Sequence, residues 1–124
     1  MRICSGTVPY RLHEGVIQVC IVRSTAGDRW VFPKGGVEPG LSKKSNAIKE
    51  TWEEAGLIGR IGKYLGRVEN NINRSEYFTF SAVLTETTYP ETQRAREWIE
   101  VNQARVKLCP SLHFLLDELL NKLA

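Results

Sequence analysis

"PKGGVEPGLSKKSNAIKETWEEAGL", residues 33–57, decides the reading of this chain. It opens on a glycine-rich segment and closes on a cluster of acids. Ser42 has the side chain of a helix N-cap, and Gly56 suits a helix C-terminus, so the stretch predicts a helix over 42–55. Glu50, Glu53 and Glu54 fall within five residues of one another. At ~100° per residue, Glu54 lies ~40° and Glu53 about −60° from Glu50, so all three share one side of the helix. Ala47, Ile48, Thr51, Trp52 and Ala55 lie across from them and are the expected core face.

A solvated charged face is the ordinary fate of helix acids. It fits poorly here. Glu50 and Glu54 form an i,i+4 like-charge pair, which costs a few tenths of a kcal/mol. Their charge also sits near the helix C-terminus, where the macrodipole disfavours it. Lys49 is the one local offset, at i,i+4 from Glu53. Clustered carboxylates suit a hard divalent cation such as Mg²⁺ or Mn²⁺, completed by water and substrate phosphate. Zinc is disfavoured because no His or Cys lies close by in sequence. Such a site points to phosphate chemistry, in which the cation neutralises phosphoryl oxygens and activates water. Gly35, Gly40 and Ser42 match part of a phosphate-binding P-loop, but Leu41 stands where its lysine belongs, and a P-loop is rejected.

Outward from this stretch, "VIQVCIV" (16–22) is a β-branched run that predicts a buried strand. "RWVFP" (29–33) predicts a short strand ended by Pro33, joined to the first by a turn at "STAGD" (24–28). Residues 3–11 predict a weaker strand, with Pro9 marking an edge or bulge; 60–69 predict a bent strand, 77–84 a strong one and 96–101 a short one. Pro110 opens a last helix with Leu112, Leu115, Leu116, Leu119, Leu120 and Leu123 as its apolar stripe. Strands and helices interleave, giving a mixed α and β class.

The whole chain, 124 residues, is expected to be a single domain, residues 1–124. A net charge of +3 is too mild to imply nucleic acid or a membrane surface, yet compatible with attracting anions. Cys4, Cys20 and Cys109 have no metal-ligand spacing and are expected as buried or free thiols in a reducing compartment. The absence of a signal pattern or a long apolar run gives a cytoplasmic expectation.

At its glycines and glutamates the central stretch resembles the Nudix hydrolases. Their signature is a glycine, five residues, a glutamate, seven residues, then Arg-Glu-aliphatic-x-Glu-Glu-x-Gly-aliphatic. Gly35 takes the first glycine, and "ETWEEAGL" supplies Glu50, Glu53, Glu54, Gly56 and Leu57. Three positions depart: Leu41 replaces the first glutamate, Lys49 the arginine and Thr51 an aliphatic residue. In the family that glutamate and arginine commonly support the catalytic carboxylates by charge pairing. Lys49 keeps a charge without the planar fork, and Leu41 loses the acid, so the support weakens while the ligands remain. Beyond the box, "REWIEV" and its surroundings resemble the diphosphoinositol polyphosphate phosphohydrolase branch, and "PKGGVEPG" is similar to the asymmetric dinucleoside tetraphosphate hydrolases.

The resemblance implies an α+β Nudix fold, a mixed β-sheet sandwiched between helices (α/β/α). It implies Mg²⁺-dependent hydrolysis of a pyrophosphate linkage, with Mn²⁺ as a substitute. Glu50 and Glu54 would be the principal metal ligands, Glu53 would share that role, and the backbone carbonyl of Lys34 would complete the set. Glu54 would orient or deprotonate the attacking water, with Glu69, Glu76 and Glu86 as candidates for a second base outside the box. Gly35, Gly36, Lys34, Arg23, Arg29, Lys43 and Arg74 are the candidates for holding substrate. A diphosphoinositol polyphosphate is the favoured substrate. A dinucleoside polyphosphate is the alternative, for which Tyr10, Tyr64, Tyr77 or Phe80 could stack on a base. His13 and His113 have no evident catalytic partner. A catalytically weak polyphosphate-binding module of the same fold is the competing reading, motivated by Leu41 and Lys49. The expected partner is a small polyphosphate, without nucleic acid or membrane, on a monomer or homodimer.

Overall fold

Alternating apolar residues build a sheet whose two faces bury different things. A computed structural model describes residues 2–71, 74–87 and 95–124. Strands β1 (Arg2–His13), β2 (Val16–Arg23), β3 (Trp30–Val31) and β4 (Lys34–Gly36) precede helix α1 (Lys43–Ala55). Strands β5 (Leu57–Asn70), β6 (Ser75–Thr87) and β7 (Arg96–Glu100) lead to α2 (Val101–Lys107), a 3₁₀ turn (Pro110–Leu112) and α3 (His113–Leu123). The described strands form one sheet in the order β3-β2-β1-β6-β5, with β4 paired to β1 and β7 to β2. β1 and β6 run parallel and the other pairs antiparallel, so the sheet is mixed.

Side chains on successive residues of a strand point to opposite faces. On one face Val8, Val19 and Ile21 pack with Leu115, Leu116 and Leu119 of α3 and with Ala104 of α2. On the other, Cys20 and Val22 pack with Ala55 of α1 and with Leu57. The helices therefore cover both faces, giving the α/β/α layering.

Several expectations change in detail. Pro9 lies inside a central strand rather than at an edge. The N-terminal half of β1 pairs with β4 at Cys4–Gly6 and its C-terminal half with β2 from Tyr10 onward, so Pro9 falls in the gap between two partners on that side. The second strand of the predicted hairpin shrinks to Trp30–Val31, paired to Val22 and Arg23. Lys34–Gly36, in the glycine-rich segment where no strand is predicted, is strand, because pairing with β1 holds it extended. β5 is longer than predicted and carries register shifts near Gly59, Tyr64 and Gly66, which bend it. α2 has no counterpart in the sequence reading; it follows β7 directly and has no side-chain cap bond. The leucine stripe of α3 is narrower than predicted. Leu115, Leu116 and Leu119 are buried, while Leu120 and Leu123 are partly exposed.

Candidate functional site

Helix α1 is placed by its ends. The Ser42 hydroxyl accepts a hydrogen bond from the Ser45 N–H at 3.0 Å, and Gly56 adopts φ 68°, the left-handed turn that ends a helix. Its body is tied to β1 by polar bonds. Thr51 Oγ1 donates to the Ala47 carbonyl at 2.8 Å, so the 2.6 Å contact with Thr7 has the Thr7 hydroxyl as donor. Asn46, fully buried, donates to Ser5 Oγ at 3.1 Å and to the Gly35 carbonyl at 3.3 Å.

These bonds turn the helix away from the expected orientation. Its buried residues are Asn46, Ala47, Thr51, Glu54 and Ala55, whereas Trp52 is 43% exposed and Ile48 only partly buried. The core face is thus rotated toward the acids. Small residues at 47 and 55 bring the helix close to the sheet, and the bulky indole faces outward.

The three glutamates consequently have different surroundings. Glu54, 7% exposed, accepts a hydrogen bond from the Lys34 N–H at 3.1 Å. Glu50, its side chain 14% exposed, lies against Gly35 so closely that a Cβ there would collide with the carboxylate. Any side chain at position 35 would displace the Glu50 carboxylate from this place. Glu53 is 43% exposed and pairs with Lys49 Nζ at 2.8 Å. The same ammonium lies 2.8 Å from Glu38 and 3.7 Å from Glu50. Hydrogen bonds to the carboxylates of Glu38 and Glu53 hold Lys49 well above the ordinary lysine range.

Among the described residues, no three acidic, His or Cys side chains converge into a ready-made metal cage. Glu50 and Glu54 nevertheless meet one glycine strand from the same helix face. Mg²⁺ characteristically takes only one or two carboxylates, leaving the rest of its shell to water and phosphate, so this donor set fits it.

Beside the strand a cavity of about 370 Å³ opens between the sheet and the 3₁₀ turn with α3. Phe32, Val68, Tyr77, Thr79, Leu112 and Leu115 are among its walls. Lys34 joins this cavity to the acids. Its N–H reaches Glu54, while its ammonium stands 4.7 Å from the Tyr77 ring centre. Arg29 lines the same cavity. Gly35 and Gly36 lie on β4, and Arg74 precedes β6 with φ 54°. Two candidate cations fall elsewhere. Arg23 stacks on Trp30 at 4.3 Å, and Lys43 on Phe78 at 4.7 Å, beside a separate open hollow that includes Leu41.

Arg2 was not singled out from the sequence. Its guanidinium covers Gly36, and only the pairing of β1 with β4 brings it there. Of the candidates for a second base, Glu69 lines the cavity and pairs with Arg67 at 3.2 Å. Glu76 pairs with the same arginine at 3.4 Å, and Glu86 is exposed near the far end of β6. Tyr77 alone of the four proposed stacking aromatics lines the cavity. Tyr64 and Phe80 contact each other on the opposite face, and Tyr10 packs against the core. His13 is exposed, and a His113 ring nitrogen lies 3.1 Å from the Leu108 carbonyl. All three cysteines are free. Burial raises the Cys4 thiol and pushes Cys20 up to about 12, which keeps both protonated and poor nucleophiles.

A sequence profile of the NUDIX domain matches residues 7–121. Diphosphoinositol polyphosphate phosphohydrolase 3-beta of Bos taurus is 39% identical over 84 residues, covering 62% of this chain and 51% of that protein. Nudix hydrolase 4 of Arabidopsis thaliana is 32% identical over 115 residues, covering 81% of this chain and 56% of that protein. The chain spans about half the length of these curated relatives. Among solved structures, the Ap4A hydrolase of C. elegans superposes with a TM-score of 0.82 at 24% identity, covering 100% of this chain and 99% of the other. The NUDIX domain of Shewanella oneidensis NrtR, complexed with ADP ribose, superposes with a TM-score of 0.79 at 14% identity, covering 100% and 89%.

Proposed function

Because this chain belongs to the Nudix family, we propose that it hydrolyses a pyrophosphate linkage in a small polyphosphate, with a divalent metal held by Glu50 and Glu54. Two carboxylates facing the Lys34–Gly35 backbone from one helix carry this assignment. Nudix hydrolases generally use divalent metal ions. When bound, Mg²⁺ or Mn²⁺ supplies charge neutralisation at phosphoryl oxygens and lowers the pKa of water. Glu54 takes the proton of the attacking water; Glu53, at the rim, and the Lys34 carbonyl share in holding the metal. Gly35 and Gly36 let the backbone approach the polyphosphate. Lys34 and Arg29 in the cavity, with Arg2 over Gly36, offset the substrate's charge as it grows in the transition state, and Arg74, whose carbonyl accepts from the Arg2 N–H, is a further candidate.

The diphosphoinositol polyphosphate phosphohydrolases at 38–39% identity favour a diphosphoinositol polyphosphate as substrate. The cavity favours a second reading, a dinucleoside polyphosphate. Phe32, Val68, Tyr77, Leu112 and Leu115 make an apolar wall, with Glu69 as a lining acid. That surface suits a planar base better than a ring bearing several phosphates.

The test is a cleavage panel run with Mg²⁺ and with Mn²⁺. It compares diphosphoinositol polyphosphates, dinucleoside polyphosphates, nucleoside diphosphate sugars and nucleoside triphosphates. Cleavage of one class that stops on chelation is the expected result. Polyphosphate binding without turnover, indifferent to Glu54→Gln, would instead mark a binding module. Absence of both at high protein concentration would sink the assignment.

A further inference from the structure

We propose that Glu38 supplies the acid that position 41 lacks, acting as a positioning residue through Lys49. The inference rests on the metal site proposed above. The Nudix signature expects an acid at 41, yet Leu41 lines an open hollow with Ile3, Val37 and Phe80. The Leu41 N–H donates to the Glu38 carbonyl at 3.1 Å, so positions 38 and 41 are the two ends of one tight turn. An acid three residues early is therefore still local to the expected place.

Glu38 is fixed to α1 at two points. Its carboxylate lies 2.8 Å from Lys49 Nζ, and its N–H donates to Asn46 Oδ1 at 3.2 Å. Asn46 in turn holds the Gly35 carbonyl, beside Glu50. The Glu38 side chain is 52% exposed, so as an ion pair it adds little stability. Its effect lies in where it puts the ammonium's charge. Without Glu38, the ammonium of Lys49 would be shared between Glu50 and Glu53, and the lysine would compete with a cation for both. Glu38 draws the Lys49 ammonium toward a carboxylate outside the proposed metal ligands, which weakens its hold on Glu50 and Glu53.

The test is a double-mutant cycle read by Mn²⁺ affinity from electron paramagnetic resonance, with kcat, KM and melting temperature alongside. Glu38→Gln should weaken Mn²⁺ binding by about tenfold and lower kcat by a similar factor, while KM and melting temperature hold. In a Lys49→Met background the same change should shift Mn²⁺ affinity by no more than about twofold. Adding Leu41→Glu to Glu38→Gln should restore most of the loss. Glu38 would lose this role if Glu38→Gln left Mn²⁺ affinity unchanged, or weakened it equally with and without Lys49. Failure of the unmutated protein to bind Mn²⁺ would overturn the metal site itself, and this inference with it.

Discussion

The two faces of the sheet are built on opposite principles. Toward α3, the contacts are aliphatic, with Leu115, Leu116 and Leu119 buried against Val8, Val19 and Ile21. Toward α1, a smaller apolar cluster of Cys20, Val22, Ala55 and Leu57 is supplemented by hydroxyls and an amide, with Thr7 on Thr51 and Asn46 on Ser5. Apolar burial is strong but non-directional, whereas hydrogen bonds fix a rotation about the helix axis. The face that must aim two carboxylates at a backbone strand uses the directional set. The face that needs only to be covered uses the other.

Substitutions can break this contrast. Glu54→Gln should reduce turnover by ~10²-fold or more, the scale of a lost general base, with a cooperative melt retained. A steady-state assay beside calorimetry checks it, and unaltered turnover would remove Glu54 from the chemistry. Leu116→Ala on the opposite face should do the reverse. It should cost about 2–5 kcal/mol in denaturant unfolding and leave kcat of the folded fraction intact. Thr51→Val leaves the Thr7 hydroxyl without its partner and should cost about 1–2 kcal/mol. If direction is what the bond supplies, kcat should fall as well, unlike in Leu116→Ala. Ser42→Ala removes the α1 cap and should cost about 1 kcal/mol, read as a lower melting temperature. The smallest effect is expected at the thiols. A maleimide should label partly exposed Cys109 in the native protein and leave buried Cys4 and Cys20 until unfolding, which mass mapping resolves.

Legibility in the sequence follows the same division. α1 could be bounded from Ser42 and Gly56 because caps are local chemistry, and β2 from its β-branched run. α2 could not, since Val101–Lys107 carries no cap bond and no turn before it. β4 could not either, because Lys-Gly-Gly has little strand propensity and is extended only by its partner. The three glutamates were visible as a cluster, but their orientation was not. Helical angles say which residues share a side, and hydrophobicity then assigned Trp52 to the core. Buried Asn46 joins Thr51 there instead, because Ser5 and Thr7 of β1 meet them with hydrogen bonds. Glu38 and Arg2 were illegible for a related reason. Each reaches the site across a loop or a strand pairing that local spacing does not encode.

The pairing of β1 with β6 has a kinetic consequence. Arg2 to Tyr10 and Ser75 to Val83, separated in the chain by β2, β3, β4, α1 and β5, lie side by side. The proposed metal ligands come from one short segment, 34–54, yet the surface that orients them exists only after that distant pairing. Long-range parallel pairing closes a large loop before it is rewarded, so it belongs to the slow part of folding. The helix with its glutamates can form early as a local unit; a competent metal site must await the meeting of the two strands.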